Sequence, residues 1–305
     1  MADIKSYTRE LNSEQAAALQ ALLLQGNFEL SEKPYALCSA KATDERKLSV
    51  TIYEKGPKVL VQGKDCAHFV SYVLEPEILG VAELGYEEIN HPEQFNPHMG
   101  IDESGKGDFF GPLVIAGAYT DASIAKQLGE LGVTDSKKIG SDKKIRQLAG
   151  GIRQIQGLHY EVIRINPTRY NELYTQFKNL NKLLAWGHAR VIENLLEKAP
   201  ACPRALSDQF ANAKVLQAAL LEKGQQIELE QRTKAESDPA VAAASILARE
   251  SFIDWLRDGS EQSGYELAKG VSAKVKATAT KIKQEGGTEA LSRVAKMHFK
   301  TAREV

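Results

Sequence analysis

Asp102 and Glu103 stand side by side in the run His98-Met-Gly-Ile-Asp-Glu, and glycines follow at positions 105, 107 and 111. Paired carboxylates offer the oxygen donors that a hard divalent cation prefers. Neighbours on a strand point to opposite faces, so both can reach metal only where the strand ends and twists. A glycine-rich turn supplies that freedom, because glycine accepts positive φ and lets another backbone approach closely. The competing reading, a surface turn with solvated acids, leaves three glycines in seven residues without a role.

The same stretch from Gly100 to Gly107 matches G-x-x-x-x-G-K, but Gly107 stands where a phosphate-binding loop needs Ser or Thr. Two carboxylates inside such a cradle would also repel the anion it exists to hold. A dinucleotide fingerprint starting at Gly105 fails too, since Phe110 occupies the place of its third glycine and Gly111 comes one residue late. These glycines do not make a nucleotide loop.

Two more acids occur in similar settings. Asp208 closes the run Arg204-Ala-Leu-Ser-Asp, at the C-terminal end of an expected strand. Sites collect at that edge of α/β sheets, although a lone Asp there is commonly a turn or a helix cap. Asp238 precedes Pro239, the arrangement of an N-cap followed by proline at the first helical position. Glu236 lies just outside that helix, has no capping job, and is the better ligand candidate.

The elements that must position these residues fall into two parts. Residues 1–84 read as a small α+β unit. Asn12 and Gln15 form a capping box for a helix running to Leu24, stopped by Gly26. Strand-like runs follow at 35–42, 48–53 and 58–62, the second alternating Leu48, Val50 and Ile52 with polar residues. A second helix is expected from 65 to 73, ending before Pro76. Residues 85–97, with two prolines and no apolar period, read as a linker. From 98 to 305, strand-like runs at 99–103, 113–120, 159–166, 204–208 and 226–230 alternate with helical ones through 131, at 168–198 (broken near 179–181), 211–223 and 239–255. Such alternation argues for a layered α/β domain.

The bulk numbers agree with a soluble globular chain: 305 residues, 43% hydrophobic, 26% charged, formal net charge −1. Up to Asn90 there are nine Lys/Arg against fourteen Asp/Glu, and beyond it thirty against twenty-six. Any nucleic-acid surface is therefore built from local patches. Cys38, Cys66 and Cys202 are far apart and form no C-x-x-C, which excludes a thiolate zinc site or disulfide framework. The N-terminus lacks the apolar core of a signal peptide, and no run approaches a membrane span. A reducing, cytoplasmic setting is expected.

With these segments in view, the chain resembles the type 2 ribonuclease H superfamily, and within it ribonuclease HIII. The matching pieces are GIDESGKGDFFGPLV (100–114), VTDSKK (133–138), LSDQFA (206–211), TKAESDPAVAAASILAR (233–249) and KGVSAKV…LSRVAKMHFK (269–300). Gly105-Lys106-Gly107 and Lys234-Ala235-Glu236 point to ribonuclease HIII, because other type 2 enzymes usually show Gly-Arg-Gly and an Asp in the later motif. By its layout, the N-terminal unit is similar to that family's substrate-binding domain, a fold like the TATA-binding protein.

The resemblance implies a ribonuclease-H-like mixed sheet flanked by helices, Mg²⁺ or Mn²⁺ dependence, and endonucleolytic hydrolysis of the RNA strand in RNA/DNA hybrids. A monomer is expected, with an RNA/DNA hybrid as its partner and no membrane. Carried over by position, the catalytic metal ligands are Asp102, Glu103, Asp208 and Glu236, with Asp102 expected to bridge two ions. Ser104, Gly105, Lys106 and Gly107 would meet the ribose, where two residues without side chains let backbone approach the 2′-hydroxyl. Ser136 and Lys137, in Asp135-Ser136-Lys137-Lys138, would contact phosphate beside a helix starting near Ser141. Ser272 would touch substrate, and the lysines and arginines from Lys269 to Arg303, Lys296 included, could line a groove. Two alternatives stay open: an enzyme incising at single ribonucleotides embedded in duplex DNA, and a hybrid-binding module without catalysis.

Overall fold

The computed structural model describes residues 4–84 and 87–305. The chain divides into two compact units, Met1–Pro92 and Glu93–Val305. The expected linker falls partly on Gly85 and Tyr86, which lie outside the described residues; the rest of it holds two short helical turns, and the strand begins just after it at His98.

The first unit begins with β1 (Ser6–Glu10), α1 (Ser13–Gln25), β2 (Phe28–Ser31), β3 (Ala36–Ala42), β4 (Leu48–Tyr53) and β5 (Lys58–Gly63). The capping box is present at Asn12 and Gln15, and Gly26 closes α1. The strands form one antiparallel sheet in the order β1-β5-β4-β3-β2. Val50, Ile52, Val59 and Val61 bury one face against Leu19 and Leu23 of α1 and Phe69 and Val70 beyond β5. Register aligns Ser39, Thr51, Leu60 and Thr8 in a row across the other face.

Two expectations change here. The chain makes two edge strands, β1 and β2, beyond the three expected. The second helix does not end before Pro76: α2 (Cys66–Phe69) continues as a π-helix, Val70–Leu79, with Pro76 inside it. The wider winding accommodates a residue with no N–H to donate, and Gly80 ends it in the left-handed region at φ 67°. The short α3 (Glu87–Asn90) follows.

The second unit carries β6 (His98–Ser104), β7 (Leu113–Thr120), α4 (Ala122–Leu131), α5 (Asp142–Gln154), β8 (Tyr160–Ile165), α6 (Pro167–Phe177), α7 (Leu180–Lys198), β9 (Arg204–Asp208), α8 (Ala213–Gln217), β10 (Glu228–Arg232), α9 (Pro239–Ser263), α10 (Ala273–Val294) and α11 (Lys300–Glu304). Its sheet runs β10-β9-β6-β7-β8; β9 is parallel to β6 and β10 to β9, while β6, β7 and β8 are antiparallel. Ala243, Ile246 and Leu247 of α9 pack with Val114 and Ala116 on one face. Leu184, Val191 and Leu195 of α7 pack with Ile101 and Ile115 on the other. The first turn of α9 presses against β6 so closely that a Cβ on Gly100 would stand 2.2 Å from the Val241 nitrogen.

The helix expected at 211–223 is only the short α8, and that expected at 239–255 runs on to Ser263. The three cysteines are free and buried. Among the described residues no helix is long and apolar enough to cross a membrane.

Candidate active site

β6 delivers Asp102 and Glu103 near its C-terminal end, still paired with Ala116 and Ile115 of β7. Parallel pairing sets Ile101 beside Ser207, and one residue further along both strands come Asp102 and Asp208. The sheet thus joins acids about a hundred positions apart. Glu236 sits in the 3-10 turn Ala235–Ser237 between β10 and α9, and the Ala235 N–H donates to Asp208 Oδ1 at 3.4 Å. Asp238 caps α9 through the Ala240 and Val241 N–H groups, as expected for the residue before Pro239. It also stands 2.9 Å from His98 Nε2 at the start of β6, so one carboxylate ties α9 to the strand that carries Asp102.

Electrostatics show how these acids share a place. Burial raises the Asp102 carboxyl, and the charge of Glu103 raises it further, against hydrogen bonds from the Glu103 N–H and Ser245. Burial would raise Glu103 as well, but the hydrogen bond and charge of His188, with help from Lys106, carry it downwards. His188 Nε2 lies 3.2 Å from Glu103 Oε2, and Lys106 donates to Glu103 Oε1 at 3.1 Å. Burial opposes the Lys137 ammonium, yet Asp102, Glu236, Asp135 and Asp208 together raise its pKa. One cation therefore feels candidate ligand carboxylates from three separate segments.

Among the described residues, no three His, Cys, Asp or Glu side chains stand close enough, as they lie, to enclose an ion. Glu103 turns its carboxylate to His188 and Lys106 instead of Asp102, as repulsion between adjacent carboxylates favours. The donor set still suits Mg²⁺ or Mn²⁺: it is all oxygen, and Glu236 Oε2 is buried without a hydrogen-bond partner among the described residues.

The turn after β6 shows which glycine the fold requires. Gly105 has φ +84°, and a Cβ there would stand 2.2 Å from the Pro112 carbonyl oxygen and 2.8 Å from the Phe252 ring. A Cβ on Gly107 would meet nothing within 4 Å. The fold therefore needs Gly105, while the bareness of Gly107 faces outward. Lys106 also lies over the Phe210 ring, 5.8 Å from its centroid.

Ser136 is buried, its Oγ 2.5 Å from Ser245 Oγ and its carbonyl accepting from Arg249. Lys137 is exposed, its N–H held by Asp135 Oδ1 at 2.9 Å. The side chain of Lys138 lies outside the described residues. Ser272 caps α10 through the Val275 N–H. The basic run from Lys269 onward is largely paired with acids: Lys269 with Asp142, Lys274 with Glu266, Lys276 with Glu304. Lys296 is no groove residue at all, being completely buried.

Three contributors escape sequence reasoning: His188, Ser245 and Lys296. Ser245 is the polar residue in the alanine-rich stretch of α9 that faces Asp102, and that break in composition was the available signal. His188 carries none, because a histidine on a helix is usually a packing residue.

A family model described as ribonuclease HII matches residues 99–302. A protein of Protochlamydia amoebophila named ribonuclease HIII is 44% identical over 301 residues, spanning 99% of this chain and 97% of its own. Ribonuclease HIII of Chlamydia muridarum is 41% identical, covering 98% and 96%. Among solved structures, Bst-RNase HIII in complex with Mn²⁺ aligns with TM-score 0.66 at 27% identity, covering 98% of this chain and 97% of that one. Aquifex aeolicus RNase H3 aligns at 0.55 and 25%, covering 96% and 99%.

Proposed function

The chain belongs to the ribonuclease HII family, among the ribonucleases HIII, and from that premise we propose that it hydrolyses the RNA strand of RNA/DNA hybrids with divalent cations held by Asp102, Glu103, Asp208 and Glu236. It is a ribonuclease H endonuclease. The observation that carries the site assignment is the parallel pairing of Ile101 with Ser207, which sets Asp102 and Asp208 at the same end of neighbouring strands, together with the Ala235 N–H bond to Asp208 that holds the turn of Glu236 against them. Mn²⁺ in the related Bst-RNase HIII supports the choice of ion.

Asp102, Glu103, Asp208 and Glu236 would hold the divalent ions, which when bound would supply an activated water, charge relief at phosphorus and a stabilised leaving oxygen. The protein's own groups do the rest. His188 and Lys106 hold Glu103; Ser245 and the Glu103 N–H hold Asp102. Lys137 offsets the acids and faces the phosphate, with Ser136 fixing its turn through Ser245 and Arg249. The backbone of residues 104–107 reads the 2′-hydroxyl, which is both donor and acceptor, and Ser272 contacts the same strand.

The division of labour follows the units. The second unit cuts, and the first, with residues 1–84 as its binding domain, binds the hybrid through the sheet face where Lys41 and Lys58 stand exposed beside Ser and Thr residues. Incision at single embedded ribonucleotides would use the same acids and turn.

The test is a Mg²⁺ and Mn²⁺ titration on a continuous hybrid and on a duplex with one ribonucleotide. Cleavage of the hybrid should dominate, and Asp102→Asn should lower it by about 10²–10³-fold or more, as loss of a transition-state charge partner does. Full activity in a folded Asp102→Asn protein would refute the site. Hybrid binding without metal-dependent turnover would leave only the module.

A further inference from the structure

Residues 108–111 follow the glycine turn as irregular backbone, and such segments must find partners for their polar groups outside any ladder. They find them in a strap at 294–297. The Gly111 N–H donates to the Val294 carbonyl at 2.9 Å, the Lys296 N–H donates to the Phe109 carbonyl at 2.9 Å, and Phe110 bridges Ala295. The Lys296 side chain completes the lock. Its ammonium donates to the carbonyls of Asp108 at 2.9 Å, Gly111 at 2.7 Å and, at a long 3.5 Å, Phe110. The rings of Tyr170 and Phe252 lie 5.7 and 6.0 Å from Nζ.

Burying a lysine is costly, and an apolar side chain would fill the same space. What an apolar side chain lacks is three N–H donors for three converging carbonyls. Those carbonyls belong to the segment joined directly to the turn. The same segment reaches the other expected substrate contact, because the Gly270 N–H donates to Asp108 Oδ1 at 2.6 Å and the Phe109 N–H to the Gly270 carbonyl at 3.1 Å. Asn171 of α6 anchors the strap from behind, donating to the Ser292 and Ala295 carbonyls and accepting from the Met297 N–H.

We propose that Lys296 is the positioning residue of the ribose-reading turn: its buried ammonium locks residues 108–111 and thereby sets where residues 104–107 and Ser272 meet the RNA strand. This rests on reading residues 104–107 as the ribose contact, and the experiment separates the two.

Steady-state cleavage of an RNA/DNA hybrid is measured on the full chain with Lys296→Met, Gly107→Ala and, as a control for general loosening, Leu128→Ala in the core beneath α4. Gly107→Ala should melt like the parent, since its methyl meets no protein atom, and should raise KM about tenfold. Lys296→Met should raise KM about tenfold, with kcat within about threefold and an unchanged half-saturating Mn²⁺ concentration, while Leu128→Ala leaves KM alone. If Lys296→Met does not fold, Lys296→Gln, which keeps an amide donor, is judged by the same criteria. A parent-like KM in the Lys296 variant beside an impaired Gly107→Ala overturns the positioning role and spares the turn. A parent-like Gly107→Ala overturns the turn and the lock together. Equal rises in KM for Lys296→Met and Leu128→Ala reduce Lys296 to a stability residue.

Discussion

The two five-stranded sheets make different use of the same number of strands. The sheet of the first unit is wholly antiparallel and packs one face against helices, while Ser39, Ser49 and Thr51 lie on the other, the face proposed for the hybrid. The sheet of the second unit is packed by α9 on one side and α7 on the other, and only its strand ends are left for chemistry. The parallel pairing of β9 with β6 brings Asp208 to the same end as Asp102, and that of β10 with β9 sets Arg232 beside Asp208. A sheet face can meet an extended partner with many weak contacts. A strand end can concentrate charge at one point. On the proposed division of labour, the contrast would separate holding from cutting within one chain.

The sharpest way to break that contrast is to disturb the concentrated end. His188→Ala removes the helix partner of Glu103 and should raise the half-saturating Mn²⁺ concentration by about 10–100-fold, the usual effect of losing a group that orients a ligating carboxylate. An unchanged titration would mean that Glu103 needs no such orientation. On the face proposed for the hybrid, Lys41→Glu with Lys58→Glu should weaken hybrid binding several-fold and flatten its salt dependence by about two units of slope, leaving kcat intact. Binding and slope equal to the parent would remove the first unit's face from the reaction.

The smallest effect concerns stability and acid. His298 stacks on Tyr174 with centroids 4.3 Å apart, and burial, then the charge of Lys296, pushes its pKa down to about 4. The unfolded chain binds the proton near 6.5, so the stability held above that pH is lost as pH falls towards 4. Thermal melting should show a steeper acid loss in the parent than in His298→Phe between those limits; parallel curves would contradict it.

Much of the site could be read from residue types. Asp102, Glu103, Asp208 and Glu236 each stood beside a local signal: a strand ending in glycines, a short apolar run, a carboxylate with no capping job. The capping box of α1 and the N-cap at Asp238 were equally local. What escaped was decided at a distance. β1, Ser6–Glu10, has only one apolar residue, Tyr7, and β2 alternates over just the four residues Phe28–Ser31; both are edges, and their neighbours make them strands. Pro76 reads as a stop only if winding is fixed at the α-helical pitch. Lys296 looks like its exposed neighbours in sequence, and only the three carbonyls brought to it by folding explain its burial.

The strap at 294–297 also orders events in time. The Lys296 ammonium meets a carbonyl 188 positions earlier, and closing so long a loop is a late step for a growing polypeptide. A nascent chain still on the ribosome can pair β6 with β7 and even recruit Asp208, yet its glycine turn has no floor until residue 297 has left the exit tunnel. On the proposed reading of residues 104–107 as the ribose contact, that contact is completed only after the acids are assembled.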